Sequence, residues 1–255
     1  MRTLMVGSVK GGVGKTTTAV HLATGWAAKG LRCLLLDLDE QGHATLWLAG
    51  DDARRGPGLA EALLARELRP EHVKEPRPHL YLAPGGPALP EAEMEVARRR
   101  GGAEALRALL EPLRRRLDVA VIDLPPAHGG VLTIASLAAA DGVLGVFMPG
   151  YLALDGLAAL EARIDTVAAQ GVAHAKTIGF LALAVDVREG VAEASVDLIR
   201  REAPGQLLRN VVRVSTAQKS LAERQATAWD VGADERGAED WPRVLAEVGK
   251  RLGLE

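Results

Sequence analysis

Eight consecutive residues, Lys10-Gly11-Gly12-Val13-Gly14-Lys15-Thr16-Thr17, bring glycines, two lysines and two hydroxyls together near the start of a 255-residue chain. Glycine backbones can turn several N–H groups towards one anion, and a helix opening inside the run adds the positive end of its dipole. Lys15 is then placed to reach the β- and γ-phosphates of a nucleotide, and the Thr16 hydroxyl to ligate Mg²⁺. Gly11, Gly12, Val13, Gly14, Lys15, Thr16 and Thr17 are the expected phosphate cradle. The general pattern G-x-x-x-x-G-K-[ST] needs glycine where this chain has Val9, whereas K-G-G-x-G-K-[ST]-T is matched in full.

Two further runs end in carboxylates. Leu36-Asp37-Leu38-Asp39-Glu40-Gln41-Gly42-His43-Ala44-Thr45 leaves an apolar stretch. A carboxylate at such a strand end faces the ligand crevice, where it can orient an attacking water or hold a metal's water shell. Val119-Ala120-Val121-Ile122-Asp123-Leu124-Pro125-Pro126 is an apolar strand closing on aspartate, a Walker B pattern. Asp123 is expected to hold Mg²⁺ through water, because this ion keeps several of its waters. Pro125 and Pro126 stop the strand. His43 reads as a surface residue rather than a base.

Positioning these groups requires strands that end where helices begin. Apolar runs at 3–6, Cys33–Asp37, Leu80–Ala83, Val119–Asp123, 143–148 and 177–185 read as strands. Helical patterns fall between them at 16–28, 58–64, 91–96, 103–115, 132–139, 154–168 and 191–202. Continuous apolar strands separated by helices predict an α/β fold: a mostly parallel central sheet with helices on both faces. One domain over 1–255 is expected. The segment 51–90, rich in Pro, Gly and charge, reads as an elaborated connection. Leu154, Leu157, Leu160, Ile164 and Val167 form one helical stripe, expected against the sheet.

The first run is the deviant Walker A motif, and with it the sequence resembles the ParA/MinD family of P-loop ATPases, closest to short ParA partition ATPases. The second run resembles the family's D-x-D-x-Q-x-x-x-[ST] signature, with Glu40 where proline is usual and His43 where asparagine is frequent. The D-x-P-P ending of the third also fits. The resemblance implies that Asp39 positions the hydrolytic water and Asp37 supports the metal shell. It implies that Lys10 crosses a dimer interface to the partner's nucleotide, so that Lys10, Lys15 and Asp39 are catalytic and Thr16, Asp37 and Asp123 serve Mg²⁺. An R-N pair near the adenine corresponds to Arg209-Asn210 in the run Leu207 to Arg213, which makes Asn210 a cofactor contact.

By that resemblance the chain is a weak ATP hydrolase that dimerises on ATP, binds DNA non-specifically and releases it when a ParB-like adaptor stimulates hydrolysis. A net charge of −2 excludes a globally basic nucleic-acid binder, so DNA must meet a local patch. Residues 198–224 hold six basic side chains against Glu202 and Glu223, and Arg200, Arg201, Arg213 and Lys219 are the expected contacts. Only nine residues precede Lys10, so a helix-turn-helix ahead of the loop is not expected. The runs 98–100 and 114–116 read as solvated arginines at helix ends.

Cys33 is the only cysteine, which rules out a disulfide within one chain and fits a reducing cytoplasm, where the resemblance implies a nucleoid-associated location. At the end of the chain Val244, Leu245, Val248 and Leu252 share a helical face. The acidic residues Glu239, Asp240, Glu247 and Glu255 around it favour packing on the domain over a membrane anchor. Other readings within the fold are a MinD-like membrane-cycling regulator, a maturation ATPase with cysteines across a dimer interface, and a positioning ATPase for a protein cargo.

Overall fold

The computed structural model describes residues 1–8, 10–125, 130–150, 153–186, 190–215, 220–231 and 238–254. Seven strands form one sheet: β1 (Arg2–Gly7), β2 (Cys33–Asp37), β3 (Lys74–Arg77), β4 (Leu80–Ala83), β5 (Val119–Asp123), β6 (Gly142–Phe147) and β7 (Lys176–Ala182). Their order is β3-β4-β2-β5-β1-β6-β7, parallel throughout except for the antiparallel edge strand β3.

Alternate strand residues feed two cores. Met5, Leu34, Leu36, Ala120 and Ile122 point to one face, and Leu4, Val6, Cys33, Leu35, Val119 and Val121 to the other. On the first face lie the described helices α4 (Leu59–Ala65), α5 (Leu89–Arg98), α6 (Ala105–Leu110), α7 (Val131–Ala139) and α8 (Ala153–Ala169); α2 (His43–Ala49), which precedes α3 (Asp51–Arg55), packs Ala44 and Trp47 into the second core. On the second lie α1 (Lys15–Ala28) and the C-terminal α10 (Trp241–Leu252); α9 (Gly190–Glu202) follows β7. The stripe Leu157, Leu160, Ile164 and Val167 is buried as expected.

The face Val244, Leu245, Val248 and Leu252 is also buried, against α1 and the sheet. Each of these side chains contributes about 1.5–3 kcal/mol by leaving water, so this face of α10 already has its partner inside the chain. Among the described residues no helix is long and apolar enough to cross a membrane.

Several boundaries depart from the sequence expectation for identifiable reasons. β3 escaped detection because Lys74-Glu75-Pro76-Arg77 has neither alternation nor an apolar face, and proline is tolerated there only because the strand is an edge. The helix expected at 103–115 is broken into 3₁₀ turns around α6; Pro112, which cannot donate a backbone hydrogen bond, sits in the second of them. The strand expected to run to Val185 stops at Ala182, since Ala184 takes a left-handed φ of 53°. Leu207 and Arg213 pair singly with Phe180 and Val185, continuing the sheet edge without a regular strand.

α1 carries a buried histidine that meets both α2 and α10 on the second face. The His21 ring stacks on Trp241 with centroids 4.2 Å apart and meets Trp47 edge-on at 5.5 Å. Its Nδ1 donates to the Thr17 carbonyl at 2.8 Å, and Nε2 has no partner. Burial holds its pKa at about 4, below the ordinary 6.5. The folded state therefore prefers the neutral ring. Its contribution is complete above pH 6.5 and is lost as pH falls towards 4, amounting to about 3 kcal/mol. Urea unfolding midpoints should drop across that window, and an NMR titration should show the His21 ring still neutral at pH 5.

Candidate active site

β1 delivers the chain into the glycine-rich loop at one level of the sheet. Its register sets Val6 opposite Asp123, and β2 sets Asp37 opposite the same residue. Three strand ends separated widely in sequence thus open at the C-terminal edge, the place where parallel sheets bind ligands.

The loop conformation follows from its glycines. Gly12 and Gly14 have φ of 74° and 93°. A Cβ at Gly14 would stand 2.6 Å from Leu183 Cδ1, so a side chain is excluded by both backbone and space. Gly14 is the N-cap of α1, supplies no side-chain cap, and no acidic residue occupies the first turn. The opening N–H groups of α1 are therefore left for an anion. Lys15 is buried, with Nζ 3.5 Å from the Lys10 carbonyl. Burial lowers its pKa, while the carboxylates of Asp123 and Asp39 act in the opposite sense.

The carboxylates divide into one satisfied and one orphaned. Asp37 is fully buried, and its Oδ2 accepts from the Thr45 amide at 2.8 Å and hydroxyl at 2.7 Å. Its Oδ1 accepts from the Asp39 amide at 3.2 Å, and Thr45 Oγ1 in turn accepts from the Gly85 amide at 2.9 Å. Burial raises the Asp37 pKa against these bonds. Asp37 therefore ties down the loop that carries Asp39.

Asp123 is also fully buried, yet neither of its oxygens has a hydrogen-bond partner. Burial, aided by the charge of Asp37, pushes its pKa well above the usual carboxylate range; Thr16 and Lys15 favour the charged form. Thr16 does so from nearby without a hydrogen bond of good geometry. A buried carboxylate left without a partner is costly to ionise unless a cation or donor meets it. A carboxylate beside a threonine hydroxyl is a hard-oxygen donor set that suits Mg²⁺. Among the described residues no three His, Cys, Asp or Glu side chains gather into a cage, which fits an ion completing its shell with phosphate and water.

A cavity of about 580 Å³ covers the loop. Gly12, Gly14, Lys15, Thr16, Thr17 and Asp39 line its phosphate end, together with Gln41 and the exposed His43. Asp39 accepts from the Gln41 amide at 2.9 Å, and its other oxygen lies 3.9 Å from His43 Nδ1. Leu46, Trp47, Ala222 and Glu223 complete the wall. The 36–45 run made Gln41 legible; Trp47 and Glu223 carry no motif and reach the site only through tertiary folding. Gly11, Val13 and Lys10 open instead onto a second cavity of about 390 Å³, against β6 and α8.

The remaining expected contacts are scattered. Asn210 is not among the residues lining the larger cavity; its amide Nδ2 donates to Glu247 at 2.8 Å. Arg200 is exposed and pairs with Asp197 at 3.0 Å, with exposed Arg201 beside it at the end of α9. Arg213 instead binds Asp240 at 2.8 Å and also Glu239, at the opposite end of the segment that follows β7. Val9, Pro126 and Lys219 lie outside the described residues.

The chain is similar to known proteins over most of its length. A family model described as an AAA domain (AAA_31) matches residues 1–177. The chromosome partitioning protein ParA of Myxococcus xanthus is 36% identical over 213 residues, covering 83% of this chain and 75% of that protein. The chromosome-partitioning ATPase Soj of Thermus thermophilus is 33% identical over 255 residues, covering 97% of both. In fold, an ATP complex of an McdA variant from Cyanothece superimposes with a TM-score of 0.87 at 23% identity, covering 100% of this chain and 97% of that one. With the glycine loop, the paired strand-end aspartates and these matches together, the chain belongs to the ParA/MinD family of P-loop ATPases.

Proposed function

We propose that the protein is a ParA-type partition ATPase, with residues 1–255 as one P-loop domain. It binds ATP and Mg²⁺, pairs with a second copy while ATP is bound, and coats DNA non-specifically in the cytoplasm over the nucleoid. It lets go on hydrolysis, which a ParB-like adaptor on the cargo DNA stimulates. The partition roles named for the Myxococcus and Thermus relatives support this reading.

The observation that carries it is the separation of the two loop lysines. Lys15 is buried at the nucleotide cavity, whereas Lys10 is exposed and lines the other one. A cation beside a bound triphosphate, yet outside its own nucleotide cavity, suits action across an interface in the manner of an arginine finger. Thr16 and Asp123 hold Mg²⁺, Asp37 fixes the loop that bears Asp39, and Asp39 orients the attacking water. Mg²⁺ held by Thr16 and Asp123 would supply positive charge to offset the negative charge developing on the phosphates. Asn210 has its amide nitrogen committed to Glu247, so its contact with adenine would use the carbonyl oxygen.

For DNA, Arg200 and Arg201 are exposed at the end of α9, with Arg200 held by Asp197 one turn away, and Arg213 must release Asp240 and Glu239 before it can meet a phosphate. Changing Arg200→Glu and Arg201→Glu together is expected to weaken ATP-dependent DNA binding at least tenfold and to flatten its salt dependence by about one to two units of slope, with ATP affinity unchanged. Binding isotherms with ATP and with ADP check this. Full DNA binding by the double variant, or binding indifferent to the nucleotide, would overturn the reading.

A further inference from the structure

Part of the nucleotide cavity is walled by residues that carry no motif: Leu46 and Trp47 on α2, and Ala222 and Glu223 in the turn over 220–226. Ala222 and Glu223 are exposed, so burial does not fix them. Hydrogen bonds do. The Gln225 amide donates to the Ala222 carbonyl at 3.1 Å, and the Ala226 amide donates to the carbonyl of the buried Leu221 at 2.9 Å. Gln225 closes this turn with a left-handed φ of 50°, a conformation a side chain keeps only where its surroundings impose it.

Those surroundings come from far along the chain. Arg77, the last residue of the edge strand β3, sends Nη2 to the Gln225 carbonyl at 3.1 Å. Its Nη1 donates to Asp230 Oδ2 at 2.6 Å and to the Thr227 hydroxyl oxygen at 3.1 Å. Asp230 Oδ2 also accepts from the Thr227 amide at 2.6 Å and hydroxyl at 2.8 Å. One planar guanidinium thus grips both ends of 225–230 with the fork geometry that an ammonium lacks. From the other side Trp47 Nε1 donates to the Ala226 carbonyl, and Trp229 Nε1 to the His21 carbonyl on α1, both at 2.8 Å. Gly25 on α1 makes room for that indole, since a Cβ there would overlap the Trp229 ring.

We propose that Arg77 is a positioning residue for ATP binding. It ties β3 to the stretch 225–230 and, through the Gln225 bond to Ala222, holds Ala222 and Glu223 as a closed wall against the nucleotide. Arg77 does not itself line the cavity. The inference rests on the reading of that cavity as the ATP site.

The test is calorimetric titration of full-length Arg77→Ala with ATP and Mg²⁺, beside kcat at saturating ATP and thermal unfolding. Without the tie the wall samples open arrangements, and apparent affinity falls with the fraction that stays closed; closure in about one molecule in ten weakens ATP binding about tenfold. kcat at saturating ATP should stay within about twofold, because the lost contribution is to binding in the ground and transition states alike. Asp230→Ala removes the other half of the clasp and should weaken ATP binding to a similar degree, which keeps the test open if Arg77→Ala does not fold. The double variant should bind no more than about twofold more weakly than either single one, since members of one network are not additive. A lowered melting temperature with ATP affinity unchanged would overturn the proposal, as would a loss confined to kcat or losses that multiply in the double variant. Lys15→Ala tests the underlying reading separately. Undiminished ATP affinity there removes the cavity as the ATP site, whereas affinity lost in Lys15→Ala and kept in Arg77→Ala removes the role of Arg77 alone.

Discussion

Lys15→Ala is expected to weaken ATP binding by about 30- to 4,000-fold, the range set by ~2–5 kcal/mol for truncating one partner of a buried charge pair. Two effects compete in the free protein. The ammonium is costly to bury, as its lowered pKa records, so removing it relieves desolvation. Removal also withdraws the nearest positive charge from Asp123 and Asp39. Desolvation is the larger of the two in the unliganded fold, so losing the ammonium there is offset, whereas nothing in the bound state replaces the lost contact with phosphate. Affinity should therefore fall far more than the melting temperature does. Calorimetric titration with ATP and Mg²⁺, beside thermal unfolding of the unliganded protein, separates the two. Undiminished ATP affinity would remove the glycine-rich loop from the phosphate site.

Asp39→Ala is expected to reduce hydrolysis by about 10²- to 10⁴-fold, the usual worth of a positioned acid–base or water-orienting group, while ATP still binds. The protein should then accumulate as an ATP-bound dimer, visible by light scattering. Because Asp39 also accepts from the Gln41 amide, alanine loosens the loop as well as removing charge. Asp39→Asn keeps that acceptor and distinguishes the effects: loss of turnover in both variants assigns the role to the carboxylate. A monomer in ATP and Mg²⁺ would contradict the dimer switch.

The two variants probe opposite sides of one arrangement whose parts were unequally legible. The glycine loop, the Asp37–Asp39 run and the Asp123 strand could be read directly, because each is a short contiguous pattern dictated by local backbone chemistry. β2, β4 and β5 were bounded to the residue, since a strand buried on both faces must be apolar from end to end. β3 was invisible for the opposite reason: an edge strand carrying Pro76 has no such obligation. The partners of the basic run 198–224 could not be read from the sequence, because they come from elsewhere in the chain. Folding pairs Arg213 with Asp240 and sets Arg200 and Arg201 at the end of α9.

By itself, then, the sequence determined which groups are candidates for phosphate, which carboxylates stand at strand ends, and that helices cover a parallel sheet. These follow from residue type and spacing within a few consecutive positions. Only the tertiary structure decided how the groups share the work. Strand register brought Asp37 level with Asp123, satisfied one with Thr45 and left the other bare. The fold turned Lys10 away from the cavity that holds Lys15, and brought Arg77 to the carbonyl of Gln225 beside the cavity wall. Such contacts join residues tens of positions apart, and they depend on packing and solvent exclusion, which no local pattern encodes.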